Sequence, residues 1–298
     1  MTAGILEQPQ GVRGNDAVQQ ALAKSLLGAA KPASVLWRPE NNSARRVRLF
    51  GLAIENTTLT SAARDLALSA STGRRTRVVF ANAHAVNTAM ASDAYRGVIG
   101  SADRIYADGS GMAVAALLAG QPLADNVNGT DLFPLLCEEA IAARTRIFLL
   151  GGKPGVAARA ARNVKAFGMG DAIAGTHHGY FSQASREEDA VIATINASRA
   201  GILLVGLGVP LQDEWAKRNA PRLDSPVIAG VGGLFDFFAG DVSRSPKIMR
   251  TAGCEWMWRL AMEPRRMAHR YLAGNAVFLA HALTRTRQHR MEHRLRPA

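Results

Sequence analysis

Between residues 77 and 239, short apolar runs alternate with amphipathic stretches, and most of the runs stop on Gly, Asn or Asp. The runs are apolar along their whole length rather than at every second position. Strands of that kind are buried on both faces, which requires helices above and below the sheet. The alternation predicts an α/β fold, a Rossmann-like, doubly wound, mostly parallel sheet. Such sheets bind ligands beyond the carboxyl ends of their strands. Attention therefore falls on Asn82, Asp108, residues 151–155, residues 206–212 and residues 230–233.

Two of these places are strand–glycine-turn–helix units in direct succession. Val205-Gly-Leu-Gly-Val-Pro-Leu-Gln-Asp-Glu-Trp215 is followed by an apolar run from Val227 into Val231-Gly-Gly-Leu-Phe235. Glycine lets a backbone approach a ligand, and a helix N-terminus offers unpaired N–H groups to an anion. Gly206, Gly208, Gln212, Gly232 and Gly233 are thus expected to border a phosphorylated ligand. Gly152, in Gly151-Gly-Lys-Pro-Gly155, belongs to a third glycine loop. That loop is neither a Walker loop nor a full dinucleotide fingerprint. No acidic residue closes the following strand, so a nicotinamide dinucleotide site is disfavoured.

The chain has 298 residues, 48% of them hydrophobic, enough for one large domain with appendages. Two distant cysteines, Cys137 and Cys254, indicate a reducing compartment and read as core residues. The formal charge is +12. Its arginines concentrate beyond residue 244, so an anionic partner is expected: a phosphorylated substrate, an anionic membrane surface or nucleic acid. Neither a secretory leader nor an apolar run of about 20 residues is visible. The expected location is cytoplasmic.

Three regions follow. Residues 1–45 read as an extension, disordered over 1–15 with a short helix at 16–27. Residues 46–242 carry the sheet, entered by a strand at 49–54 and a helix at 58–72. Residues 243–298 read as a basic helical appendage, with helices at 246–260 and 264–287.

Asp108 ends a strand at an Asp-Gly turn. A carboxylate there suits a general base toward a hydroxyl, and equally a cap for the helix from Ser110. Asn82 and His84 follow another strand, where they suit substrate hydroxyls or local structure. His177-His178 lacks a third ligand at sensible spacing, so metal binding is not expected. A metal-free site for a diphosphate needs cations instead. The C-terminal arginines supply guanidinium forks that match phosphate oxygens, and they also suit a lipid-facing helix. Trp215, Trp256 and Trp258 read as core or interface anchors.

Taken in order, several pieces resemble the WecG/TagA/CpsF family of bacterial glycosyltransferases (glycosyltransferase family 26). They are Asp108-Gly109, Gly129-Thr-Asp131, Phe148-Leu-Leu-Gly-Gly152, His178-Gly-Tyr-Phe181, Val205 to Trp215, Gly230 to Gly240, and Glu255-Trp256 through Glu263-Pro-Arg-Arg266 to Tyr271. The resemblance implies an inverting enzyme. It would move a sugar from a UDP-sugar to a polyprenyl-diphosphate-linked sugar, peripherally on the inner face of the plasma membrane. It maps a base onto Asp108, a donor-side glutamine onto Gln212, and arginines onto Arg259, Arg266 and Arg270, with Thr130 in the substrate site. No metal cofactor and no nucleic-acid partner are implied; a homo-oligomer is possible. One position departs from many members: Phe80 stands where they carry Thr. On that ground the expected branch is exopolysaccharide assembly of xanthan and acetan type, with a glucose donor. The alternative is transfer of N-acetylmannosamine or its uronate to polyprenyl-diphosphate-linked N-acetylglucosamine. A nucleotide-dependent oxidoreductase and a non-catalytic basic membrane protein are the readings from other classes.

Overall fold

The computed structural model describes residues 45–246, 248–249, 253–268 and 273–295, without the side chains of residues 266–267 and 285–295. Residues 1–44 of the predicted extension lie outside this set.

The sheet is six-stranded and wholly parallel, as the continuous apolar runs require. Its strands are β3 (Thr76–Ala81), β4 (Arg104–Ala107), β5 (Ile147–Gly151), β6 (Ile173–His177), β7 (Ile202–Gly206) and β8 (Val227–Gly230), in the order β4-β3-β8-β7-β5-β6. Alternate side chains serve opposite layers. Leu203, Val205 and Ile228 join a core with Trp215 on α8 (Leu211–Asn219) and Ile192 on α7 (Arg186–Ala197). Ile202, Leu204, Val227 and Ala229 face α1 (Leu59–Ser71), α5 (Gly129–Ala142) and α9 (Leu234–Phe238). α6 (Val156–Val164) packs beside α9. α2 (Ala83–Ala91) and α3 (Asp93–Gly100) lie between β3 and β4, and α4 (Ser110–Leu118) follows β4. β5 and β7 are neighbours, yet the chain leaves β5 through α6 toward one face and β7 through α8 toward the other. A crevice opens at such a reversal.

The expected strand at 49–54 is instead a hairpin, β1 (Arg46–Leu49) and β2 (Leu52–Glu55). Its two turn residues, Phe50 and Gly51, have φ of 56° and 80°. Positive φ at both centres matches the twist of a two-residue hairpin. The position is uncommon for phenylalanine, and its ring packs 5.2 Å from that of Phe278.

Beyond the sheet the expected helices are broken. Gly253, at φ 71°, interrupts the span 246–260, and the helix there is α10 (Glu255–Met262). The span 264–287 divides into α11 (Pro264–Ala268) and α12 (Gly274–Leu295). The region read as an appendage also contributes to the core. Phe278 and Ala282 are buried with Leu49, Leu52, Met112 and Val86.

Candidate active site

The strand ends bring together two groups of expected residues. In the first, Asn82 closes β3 and Asp108 closes β4, strands paired Ala81 to Ala107. Asn82 Nδ2 donates to Asp108 Oδ2 at 3.1 Å, while Asn82 Oδ1 accepts from Ala85 N at 3.1 Å and so caps α2. Asn82 is thus a helix cap, the local-structure reading, and in addition it supports a carboxylate. Asp108 is half-buried and is not the N-cap residue of α4; that position is Gly109, at φ 91°. His84 is half-buried in the first turn of α2.

Residues not singled out from sequence hold this corner. Gly109 N donates to Asn126 Oδ1 at 2.8 Å, and Asp125 Oδ2 accepts from Leu59 N at 3.1 Å. Ser110 Oγ donates to the Gly253 carbonyl at 2.7 Å, tying the C-terminal region to the turn that carries Asp108. Nothing in their local sequence marks Asn126 or Ser110 as partners of elements 17 and 143 positions away.

The second group is the pair of glycine turns after β7 and β8. Gln212 Oε1 accepts from Gly208 N at 3.2 Å and Gly232 N at 2.9 Å. The side chain is buried, so it faces the protein rather than an open cleft. The glycines divide by purpose. A Cβ on Gly206 would sit 2.8 Å from the Gly232 carbonyl oxygen, and one on Gly230 would sit 2.6 Å from Asp213 Oδ1. These two are small because the protein fills the space. Gly208 and Gly232, at φ 83° and 58°, would project a Cβ into open space; their need is conformational. Gly233 precedes α9 as its N-cap residue.

The loop containing Gly152 joins this edge. Gly152 N donates to the Gly206 carbonyl at 3.2 Å, and Gly179 N donates to the Gly152 carbonyl at 2.9 Å. The His178-Gly-Tyr-Phe181 segment thus lies against the crevice, with Tyr180 exposed. Thr130 is in the first turn of α5, beside the β8 turn, since a Cβ on Gly129 would approach Val231 Cβ at 4.0 Å. Asp131 in that turn is paired with Arg244.

Under the glycine turns is a buried acid. Tyr95 of α3 donates its hydroxyl to Asp213 Oδ2 at 2.6 Å. Burial outweighs this bond and the attraction of Arg77, and pushes the Asp213 carboxyl up to about 6.

Arg259 lies in the last turn of α10, half-buried. Arg270 and the side chain of Arg266 lie outside the described residues. Trp215 is a core residue with no exposure. Cys137 is buried in α5, and burial pushes its thiol up. Among the described residues no three His, Cys, Asp or Glu side chains are grouped to hold a metal ion. Phe80 is also a core residue. It packs 5.8 Å from Tyr106 and lines an apolar void with Leu66 and Phe133, so it takes no part in the strand-end site.

Comparison with known proteins identifies the family. Residues 47–292 match the glycosyl transferase WecG/TagA/CpsF family. The N-acetylglucosaminyldiphosphoundecaprenol N-acetyl-beta-D-mannosaminyltransferase of Staphylococcus aureus strain MW2 is 30% identical over 230 residues, covering 76% of this chain and 89% of that protein. The protein of the same description from strain MRSA252 is 30% identical over 232 residues, with the same coverage. The match spans the hairpin, the whole sheet and the C-terminal helices, and the chain belongs to the WecG/TagA/CpsF family of glycosyl transferases.

Proposed function

We propose that this protein is an inverting, UDP-sugar-dependent transferase that moves N-acetylmannosamine, or its uronate, to a hydroxyl of polyprenyl-diphosphate-linked N-acetylglucosamine. The observation that carries this reading is the Asp108 carboxylate, oriented by Asn82 at the strand ends of a chain so similar to mannosaminyltransferases of lipid-linked N-acetylglucosamine. The glucose donor of exopolysaccharide assembly rested on Phe80. That side chain is committed to the core, which removes the reason for preferring it.

In this reading the donor lies across the crevice at the ends of β5, β7 and β8. The acceptor hydroxyl approaches the anomeric carbon from the face opposite the diphosphate. Asp108 takes the hydroxyl proton as the new C–O bond forms and the bond to the UDP oxygen breaks, which inverts the configuration. Positive charge near the departing diphosphate stabilises it, and Arg259 and Arg266 are assigned this role without a metal cofactor.

Among the described residues no helix is long and apolar enough to cross a membrane. α10 and α12 do expose Met257, Met262, Val277, Leu279 and Leu283. With the neighbouring arginines they suit peripheral docking on the anionic inner face, where the acceptor lipid resides.

The test is UDP release from a panel of UDP-sugars with a prenyl-diphosphate-linked N-acetylglucosamine acceptor, in the presence of EDTA. Acceptor-dependent release with UDP-N-acetylmannosamine or its uronate is expected. Release with UDP-glucose alone would restore the exopolysaccharide reading. Release only after a divalent ion is supplied would overturn the arginine-based mechanism.

A further inference from the structure

We infer that Gln212 serves the donor as a positioning residue, fastening two glycine turns together rather than touching the ligand. The inference rests on the donor reading above and deepens it.

Gln212 is 3% exposed. Its Oε1 accepts from Gly208 N and Gly232 N, one amide from each turn. A carbonyl oxygen has two lone pairs, and both are used. The strands before these turns are hydrogen-bonded neighbours, with Val205 opposite Gly230. The turns therefore start in register, and Gln212 keeps them so past the point where the ladder ends. Its amide is walled in on the inner side, where a Cβ on Gly230 would lie 2.8 Å from Nε2. The helix that presents it is anchored independently by the Tyr95–Asp213 bond.

Two consequences follow for the ligand. The Gly208 and Gly232 N–H groups are spent inside the protein, so a diphosphate must be met by other groups. The outward surfaces of both turns stay open, and past the last strand bond, Val231 N to the Val205 carbonyl at 2.8 Å, the Gln212 oxygen links them. Removing that oxygen leaves two backbone donors without it and lets the turns separate.

The experiment compares Gln212→Met, which removes the acceptor at similar length, with Gln212→Glu, which keeps it. Calorimetric titration with UDP and with the UDP-sugar is paired with thermal unfolding and steady-state kinetics. Gln212→Met is expected to remain folded and to weaken UDP and UDP-sugar by the same factor, about tenfold. The donor KM should rise with little change in kcat or acceptor KM, and Gln212→Glu should recover part of the loss. Weakening confined to the UDP-sugar would mean direct contact with the sugar and would overturn the inference. Unchanged UDP affinity in a folded Gln212→Met would do so too. Should that variant not fold, Gln212→Asn, one methylene shorter, is read by the same criteria. Wild-type protein that binds no UDP would remove the donor reading and this role with it.

Discussion

Asn82 donates to Asp108 across 3.1 Å while the other end of the same amide caps α2. One side chain thereby links the start of a helix to the proposed base, and its two ends are separable by substitution. Asn82→Ala should lose about 1 kcal/mol of stability from the missing cap and lower kcat by about tenfold or more from the disoriented carboxylate. Asn82→Asp keeps a good cap but sets a second negative charge against Asp108. A like charge disfavours ionisation, so the acid limb of the pH–rate profile should move to higher pH. Denaturant unfolding and a kcat/KM profile check both halves; an unmoved acid limb in Asn82→Asp would contradict the pairing.

Asp108→Asn retains the shape of the side chain and removes the base. Turnover should fall by about 10²–10⁴-fold, with UDP affinity close to wild type. Wild-type rates in this variant would remove Asp108 from the chemistry.

Asp213 makes stability depend on pH. Its folded pKa, about 6, lies above the ordinary 3.8, so the folded state holds the proton more tightly than the unfolded chain. The resulting stabilisation is fully present below the unfolded value and is lost as pH rises through about 6. Its size is on the order of 2–3 kcal/mol. Tyr95, Arg77 and Glu214 are the charged or titratable groups acting on it. Asp213→Asn keeps an oxygen for the Tyr95 hydroxyl and should flatten the pH dependence of Tm between pH 4 and 7. A wild-type slope in that variant would place the titration elsewhere.

Phe278 is buried against Phe50, and a Cβ on Gly111 would lie 3.3 Å from its ring. Phe278→Ala should cost about 3–5 kcal/mol, as for other buried aromatic truncations. Urea unfolding measures it. If α12 were a detached appendage, the midpoint would not move.

The sheet was legible because a parallel strand buried on both faces has no polar positions to obscure it. The bounds of β4 and β7 follow from Arg104 to Ala107 and Ile202 to Gly206 with nothing added. The β1–β2 hairpin was not legible, since Phe50 is an unusual residue at positive φ and its ring packs on Phe278, 228 positions away. At the site, Asp108 and Asn82 declared themselves as polar ends of apolar runs. Gln212 was singled out by its place after the glycine turn and by the family resemblance; that its oxygen accepts from Gly208 N and Gly232 N depends on a turn 20 positions away and was not legible. Phe80 is the last residue but one of β3 and packs into the core, whereas Asn82 lies past the strand end as a helix cap.

The strand order has a consequence for how the chain is made. β8, the last strand to leave the ribosome, is the one that joins β4-β3 to β7-β5-β6. β3 and β7 pair with it on either side, so neither strand has its inner neighbour until Val227–Gly230 has been made. The same four residues lead into the Gly232 turn and its bond to Gln212. The continuous sheet and the Gly232–Gln212 bond therefore both wait on residues from 227 onward, and a message truncated before residue 227 encodes neither.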